Sequence, residues 1–262
     1  MSVCAMGATV PPVMSATNTS PRLFVPDPLF AGAQLAASAG QAHYLGTVMR
    51  LGAGAWLRLF NGRDGEWSGR IGAIRKDRAT LLVEAPIHPQ APEPDLWLIF
   101  APLKRDATDM VVEKATELGV SAILPVFTER TNTPRLNLDR LRGLAVEAAE
   151  QCERLSVPRM ADPQRLDALL AQWPAGRTLS VALERVGAPP LAGTDSPAAL
   201  LIGPEGGFSP AEATLLRRQA FVRPVGLGPR ILRAETAAIV GLALLLAPAH
   251  GYLNHQAGLP VP

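Results

Sequence analysis

The chain has 262 residues, 48% of them apolar, which is enough to fill one large core or two modest ones. A formal net charge of only +2 excludes a globally basic nucleic-acid coat, and two cysteines exclude a disulfide framework or a cysteine-rich zinc site. The longest apolar run, residues 237–247, is too short to cross a bilayer, and residues 1–20 have neither a basic start nor a long apolar stretch. These features predict a reducing, cytoplasmic location without membrane association. His43, His88, His250 and His255 show no metal-ligand spacing, so no metal is expected. Of the 25 basic residues only Lys76, Lys104 and Lys114 are lysine. Arginine suits bidentate phosphate and base contacts, although a coding bias toward arginine produces the same composition.

Residues 1–20, with Pro11, Pro12, Ser15, Thr17, Asn18 and Ser20, read as a disordered tail. Residues 21–90 read as a small β-rich domain opened by Leu23-Phe24-Val25. A short helix is expected at residues 42–49. A strand follows at residues 55–60, then the turn Asn61-Gly62-Arg63-Asp64-Gly65, a return strand at residues 66–71 and a further strand at residues 79–84. Short strands at this spacing read as a small barrel, with Trp56 and Trp67 in its core. Pro86, Pro89, Pro92 and Pro94 then form a stiff linker, and the domain boundary is placed there.

From residue 95 to 250 strands alternate with helices. Residues 96–101 form a continuous apolar strand. Asp106 is expected to cap a helix with the stripe Ala107, Met110, Val111, Ala115 and Leu118, ended by Gly119. Residues 121–127 read as a strand and residues 138–155 as a helix. Residues 179–183 and 199–202 read as buried strands. Ser209-Pro210-Ala211-Glu212 is a capping box with proline at the first helical position. A short strand at residues 221–225 and an apolar helix at residues 235–246 complete the pattern, and residues 251–262 read as a tail. Such alternation predicts an α/β fold with a mostly parallel sheet covered on both faces.

Two glycine-containing loops join a strand to a helix in this region. Leu201-Ile202-Gly203-Pro204-Glu205-Gly206-Gly207-Phe208-Ser209 lacks the Gly-Lys-Ser/Thr of a phosphate loop and the glycine spacing of a dinucleotide fingerprint. Alone it is also what a tight turn looks like. Val225-Gly226-Leu227-Gly228-Pro229-Arg230-Ile231-Leu232-Arg233-Ala234-Glu235-Thr236 adds two arginines, which alone could be solvated or paired with Glu235. Both loops fall at carboxyl ends of strands of one expected sheet, where α/β folds bind ligands.

These two loops together resemble the signature of the SPOUT methyltransferases, and more narrowly the bacterial enzymes that methylate uridine N3 in small-subunit ribosomal RNA. The same narrower resemblance covers Arg22-Leu23-Phe24-Val25, His43-Tyr44-Leu45, Val48-Met49-Arg50-Leu51, Lys104 and Glu113-Lys114-Ala115-Thr116-Glu117-Leu118-Gly119-Val120. It continues through Pro125, Glu129-Arg130, Glu147-Ala148-Ala149-Glu150-Gln151-Cys152 and Val157-Pro158, so that it runs in order from about residue 21 to 247. It departs at Arg105, where the family carries an acidic residue or glycine.

The resemblance implies a PUA-like RNA-binding β-barrel at residues 21–90 and a SPOUT α/β domain with a trefoil knot at residues 95–250. It also implies a homodimer, S-adenosylmethionine as cofactor, and 16S ribosomal RNA or the assembled small subunit as partner. Leu183, Ile202, Gly203, Pro204, Gly206, Leu227, Gly228, Ile231, Leu232 and Thr236 are the expected cofactor contacts; Thr236 could instead cap the last helix. Arg233 is expected to stabilise the developing uracilate oxygen. Glu205 is expected to act as base or orienting group, unless it caps its own loop. Arg22, Lys104 and Arg105 are the candidate phosphate contacts. Two other readings compete. One is a knotted ribose 2′-O-methyltransferase. The other is a non-catalytic RNA-binding assembly factor, against which the intact Gly203, Glu205, Gly228 and Arg233 count.

Overall fold

The computed structural model describes residues 16–17, 19–133, 135–183, 187–193 and 197–247. The expected tails, apart from Ala16, Thr17, Thr19 and Ser20, lie outside the described residues. The chain separates into two compact units, Met1–Gln90 and Ala91–Pro262.

In the first unit the elements are β1 (Arg22–Phe24), β2 (Gln34–Ala36), α1 (Ala39–His43) continued by a π-helical turn (Tyr44–Val48), β3 (Trp56–Phe60), β4 (Glu66–Arg75) and β5 (Arg78–His88). They form one sheet in the order β1-β3-β4-β5-β2, with β1 parallel to β3 and the other pairs antiparallel. Leu23, Leu57, Leu59, Ile71, Leu81 and Val83 project into a common core with Leu45 from the π-helical turn. Each such leucine contributes about 2 kcal/mol of burial free energy. Pro86 lies inside β5 rather than in the linker. Its register partner is Trp67 on β4, and β2 pairs only as far along β5 as Leu82, so no neighbour there needs the missing N–H. Trp56 and Trp67 are half-buried; Trp67 packs against this core, and its Nε1 donates to the Asp64 carbonyl at 2.8 Å.

The second unit contains β6 (Leu96–Phe100), α2 (Arg105–Glu117), β7 (Ala122–Phe127), α3 (Leu138–Gln151), β8 (Arg159–Met160), β9 (Gln164–Arg165), α4 (Leu166–Ala171), β10 (Thr178–Ala182), β11 (Ala198–Ile202), α5 (Pro210–Arg217), β12 (Val222–Val225) and α6 (Ala234–Leu246). The strands form a parallel sheet in the order β12-β10-β11-β6-β7-β8, with β9 also on β7. Strand side chains alternate between two cores. Leu96, Leu98, Phe100, Leu200 and Ile202 meet α2, α3 and α6 on one face. Ile99, Ala199, Leu201, Leu179 and Val181 meet α4 and α5 on the other. Helix α6 approaches β11 closely because position 241 is glycine: a Cβ there would stand 2.6 Å from Leu200 Cδ2.

Local chemistry moves two expected boundaries. Helix α2 starts at Arg105 with Lys104 in the cap position, so Asp106 lies in the first turn and is not the cap. Leu103 and Thr108 replace the cap reciprocally: Leu103 N–H donates to Thr108 Oγ1, and that hydroxyl donates to the Leu103 carbonyl, both at 3.0 Å. The buried stripe is Thr108, Val111, Val112, Ala115 and Thr116, which leaves Met110 46% exposed. Thr116 is accepted inside because its hydroxyl donates to the Val112 carbonyl. Helix α3 stops at Gln151, before residue 155, as Glu153 adopts φ +63° and Arg154 turns to donate to the Thr116 and Val120 carbonyls.

The Ser209 box forms as expected: Ser209 Oγ accepts from Glu212 N–H, and Glu212 Oε2 accepts from Ser209 N–H. Replacing Ser209 by alanine is expected to cost about 1 kcal/mol. Chemical denaturation checks this; an unchanged midpoint would mean that proline at the first position and the Glu212 bond hold α5 alone.

Candidate active site

Strands β12, β10 and β11 are parallel neighbours, so their carboxyl ends open side by side. Val181 is in register with Leu201, and Ala182 with Val225. The segments that leave these ends carry all the expected cofactor contacts. Helix α2, after β6, packs on one face of the sheet, while α5, after the adjacent β11, packs on the other. Loops that part in this way leave a crevice at the strand ends.

The segment that follows β10 returns to pair with the end of β12. Gly226 N–H donates to the Pro189 carbonyl at 2.8 Å, and Leu191 N–H donates to the Gly226 carbonyl at 2.9 Å. The exit of β12 thus lies against the exit of β10. A Cβ at position 226 would stand 3.1 Å from the Ala188 carbonyl oxygen, so glycine allows this close approach.

Leu183, Ile202 and Pro204, at the ends of β10 and β11, are buried. Gly203 packs on Phe208, whose ring a Cβ would meet at 3.0 Å; Gly206 is exposed. Leu227 and Leu232 are half-buried against the core, whereas Ile231 is 62% exposed and Gly228 has φ +118°. Residues 227–232 make no backbone hydrogen bond with other described residues. Amides and carbonyls without a partner among the described residues, flanked by apolar side chains, fit an adenosine-type ligand read by backbone atoms.

Glu205 and Arg233 are both exposed, Glu205 in the turn after β11 and Arg233 in the cap position of α6. Among the described residues neither makes a side-chain hydrogen bond or ion pair, so Glu205 does not cap its loop and Arg233 is not tied to Glu235. Thr236 is exposed in the first turn of α6 and does not cap it.

Arg22 must be corrected. It is buried in the first unit, with Nε 2.5 Å from Glu66 Oε1 and its guanidinium over the Phe60 ring at 4.3 Å, so it is not presented to a phosphate. Lys104 and Arg105 are exposed at the start of α2.

The pair Glu129-Arg130, to which the residue pattern assigns no role, ties the end of β7 to the glycine loop and to α5. Arg130 Nη1 donates to the Gly206 carbonyl at 2.8 Å, and Glu212 Oε1 accepts from Glu129 N–H at 2.7 Å. The signal was a charged pair directly after a strand at the ligand edge. No group of three or more potential metal ligands exists among the described residues, and no helix is long and apolar enough to cross a membrane.

The RNA methyltransferase domain family matches residues 90–246, and the RNA methyltransferase PUA domain family matches residues 38–84. The chain is 31% identical to ribosomal RNA small subunit methyltransferase E of Rickettsia conorii over 214 residues, covering 79% of this chain and 86% of that protein. It is 32% identical to the Synechocystis protein of the same name over 235 residues, covering 86% and 77%. Among solved structures, a Legionella pneumophila protein with bound S-adenosylmethionine superposes with a TM-score of 0.79 at 30% identity, covering 87% of this chain and 98% of that one. Ribosomal RNA small subunit methyltransferase E of Neisseria gonorrhoeae, bound to the same compound, gives 0.78 at 28% identity, covering 89% and 98%.

Proposed function

The chain belongs to the RNA methyltransferase family, and from that premise we propose that it transfers a methyl group from S-adenosylmethionine to N3 of a uridine in 16S ribosomal RNA of the small subunit. The observation that carries this reading is the coincidence of a family match over residues 90–246 with three loops gathered at one edge of the sheet. On the same reading residues 21–90 are the PUA-like RNA-binding domain and residues 95–250 the catalytic one. The contact of Gly226 with Pro189 and Leu191 is part of a trefoil knot, and two chains pair as a homodimer in the cytoplasm.

The cofactor supplies a methyl group on a sulfonium centre, and the residues of the chain supply position and charge. Leu183, Ile202, Gly203, Pro204, Gly206, Leu227, Gly228, Ile231, Leu232 and Thr236 hold the cofactor in line with the base, largely through backbone atoms. Uracil N3 must lose its proton as its bond to carbon forms. Glu205 accepts that proton, and Arg233 stabilises the negative charge that develops on the neighbouring ring oxygen.

Replacing Gly228 by valine is expected to weaken cofactor binding about tenfold or more, because φ +118° costs a branched residue about 1–3 kcal/mol. A Cβ there meets nothing within 4 Å, so backbone strain is the cause. Titration calorimetry with an unchanged Kd would remove the loop from the pocket.

Expression in bacteria whose 16S RNA lacks the modification tests the function. N3 methylation removes a pairing N–H, so reverse transcription is expected to stop at one uridine. A ribose-methylated nucleoside in its place would assign the chain to the 2′-O-methylating readings of the fold.

A further inference from the structure

A cavity of about 400 Å³ opens at the carboxyl ends of β6 and β7, between the start of α2 and the segment that leads into α3. Its walls include Leu103, Arg105, Arg135, Leu136, Asn137 and Arg140. Arg140 is fixed by a two-pronged contact with Asp109 at 2.5 and 2.7 Å, and that pair is charge-balanced. Arg105 and Arg135 are exposed and carry no ion pair among the described residues, and neither does the adjoining Lys104. Asp106 in the first turn of α2 is the nearby acid outside an ion pair; Asp139 is taken by Arg142. Asn137 spends its carbonyl on the Arg140 N–H at 3.0 Å, so its amide NH₂ is left as a donor.

The lining therefore offers an excess of donors with net positive charge. No aromatic ring is present to stack a base. That chemistry suits a phosphodiester backbone rather than a base or a free nucleoside. The cavity is also tied through one short segment to the glycine loop after β11. The segment that contributes Arg135 begins where Arg130 holds the Gly206 carbonyl, and the intervening chain spans at most about 18 Å.

Resting on the function proposed above, we infer that this cleft is a phosphodiester site, in which Arg105 and Arg135 hold the ribosomal RNA strand flanking the target uridine. Arg140 and Asn137 shape and extend the site, and Lys104 stands at its rim.

The test is the R105A/R135A double variant, assayed for methyl transfer to small subunits lacking the modification over a series of KCl concentrations. The expected result is a higher KM for the subunit and a salt dependence shallower by about two in the log–log slope, about one per lost phosphate contact. The loss is carried by KM rather than kcat, cofactor affinity by calorimetry is retained, and R135K keeps most of the wild-type KM. An unchanged KM and slope would overturn the proposal, as would a loss of cofactor affinity. A loss seen with assembled subunits but not with naked 16S RNA would assign the cleft to a ribosomal protein and overturn it too. If the wild-type chain methylates nothing, the functional reading fails separately. Filter binding of 16S RNA to both proteins then decides the cleft: equal affinity rejects it, and weaker, less salt-sensitive binding of the variant supports it.

Discussion

Replacing Arg233 by alanine is expected to lower kcat about a hundred- to a thousandfold while S-adenosylmethionine still binds with near-native affinity. That range is typical of deleting one preorganised group that stabilises a developing oxyanion. The split between the two effects follows from position. Arg233 caps α6 through its backbone alone and makes no side-chain hydrogen bond or ion pair with the described residues, so its removal disturbs no internal contact. The cofactor contacts proposed on either side of it, Leu232 and Thr236, are untouched. Single-turnover kinetics with saturating cofactor would measure the chemical step, and calorimetry would measure binding. Loss of cofactor binding equal to the loss of rate would make Arg233 a pocket residue, and native turnover would remove it from the reaction.

Replacing Glu66 by alanine is expected to destabilise the N-terminal unit by about 3–5 kcal/mol, the usual cost of leaving buried charge without its partner. Its side chain is 2% exposed and lies 2.5 Å from Arg22 and 3.7 Å from Arg58, both themselves buried. The sheet imposes this arrangement: Arg22 and Arg58 are register partners across β1 and β3, and Glu66 enters from the first position of β4. Two like charges side by side in a sheet repel, and the carboxylate between them offsets that repulsion. Denaturant unfolding would show the loss as a lower midpoint. A midpoint shifted by less than about 1 kcal/mol would mean that water reaches the site and that the three charges are effectively at the surface.

The partners in the Arg22 cluster are set by strand pairing and not by local sequence. In sequence Arg22 is a cation beside a strand, indistinguishable from Lys104. Its partner lies 44 residues away and arrives only through strand pairing. Ala107, Val111, Ala115 and Leu118 of the expected α2 stripe do meet the core, but the buried face is wider for a related reason: Thr108 and Thr116 count as polar until their hydroxyls are seen bonded to nearby carbonyls. Pro86 reads as linker in sequence because proline breaks strands, yet the short partner β2 leaves that stretch of β5 free of the need for an N–H.

What was legible had local causes. The alternation of Leu96, Leu98 and Phe100 with Trp97 and Ile99 marks a strand buried on both faces. The Ser209 box marks a helix start, and each glycine loop follows a strand and precedes a helix. The contact of Gly226 with Pro189 and Leu191 joins segments distant in sequence, which no periodicity encodes.

The most direct test of the central claim is to incubate the purified protein with methyl-labelled S-adenosylmethionine and small ribosomal subunits lacking the modification, digest the RNA and identify the labelled nucleoside. The account predicts label in N3-methyluridine, lost in the Arg233→Ala protein. Label in a ribose-methylated nucleoside, or no label despite measurable cofactor binding on both subunits and naked 16S RNA, would contradict it.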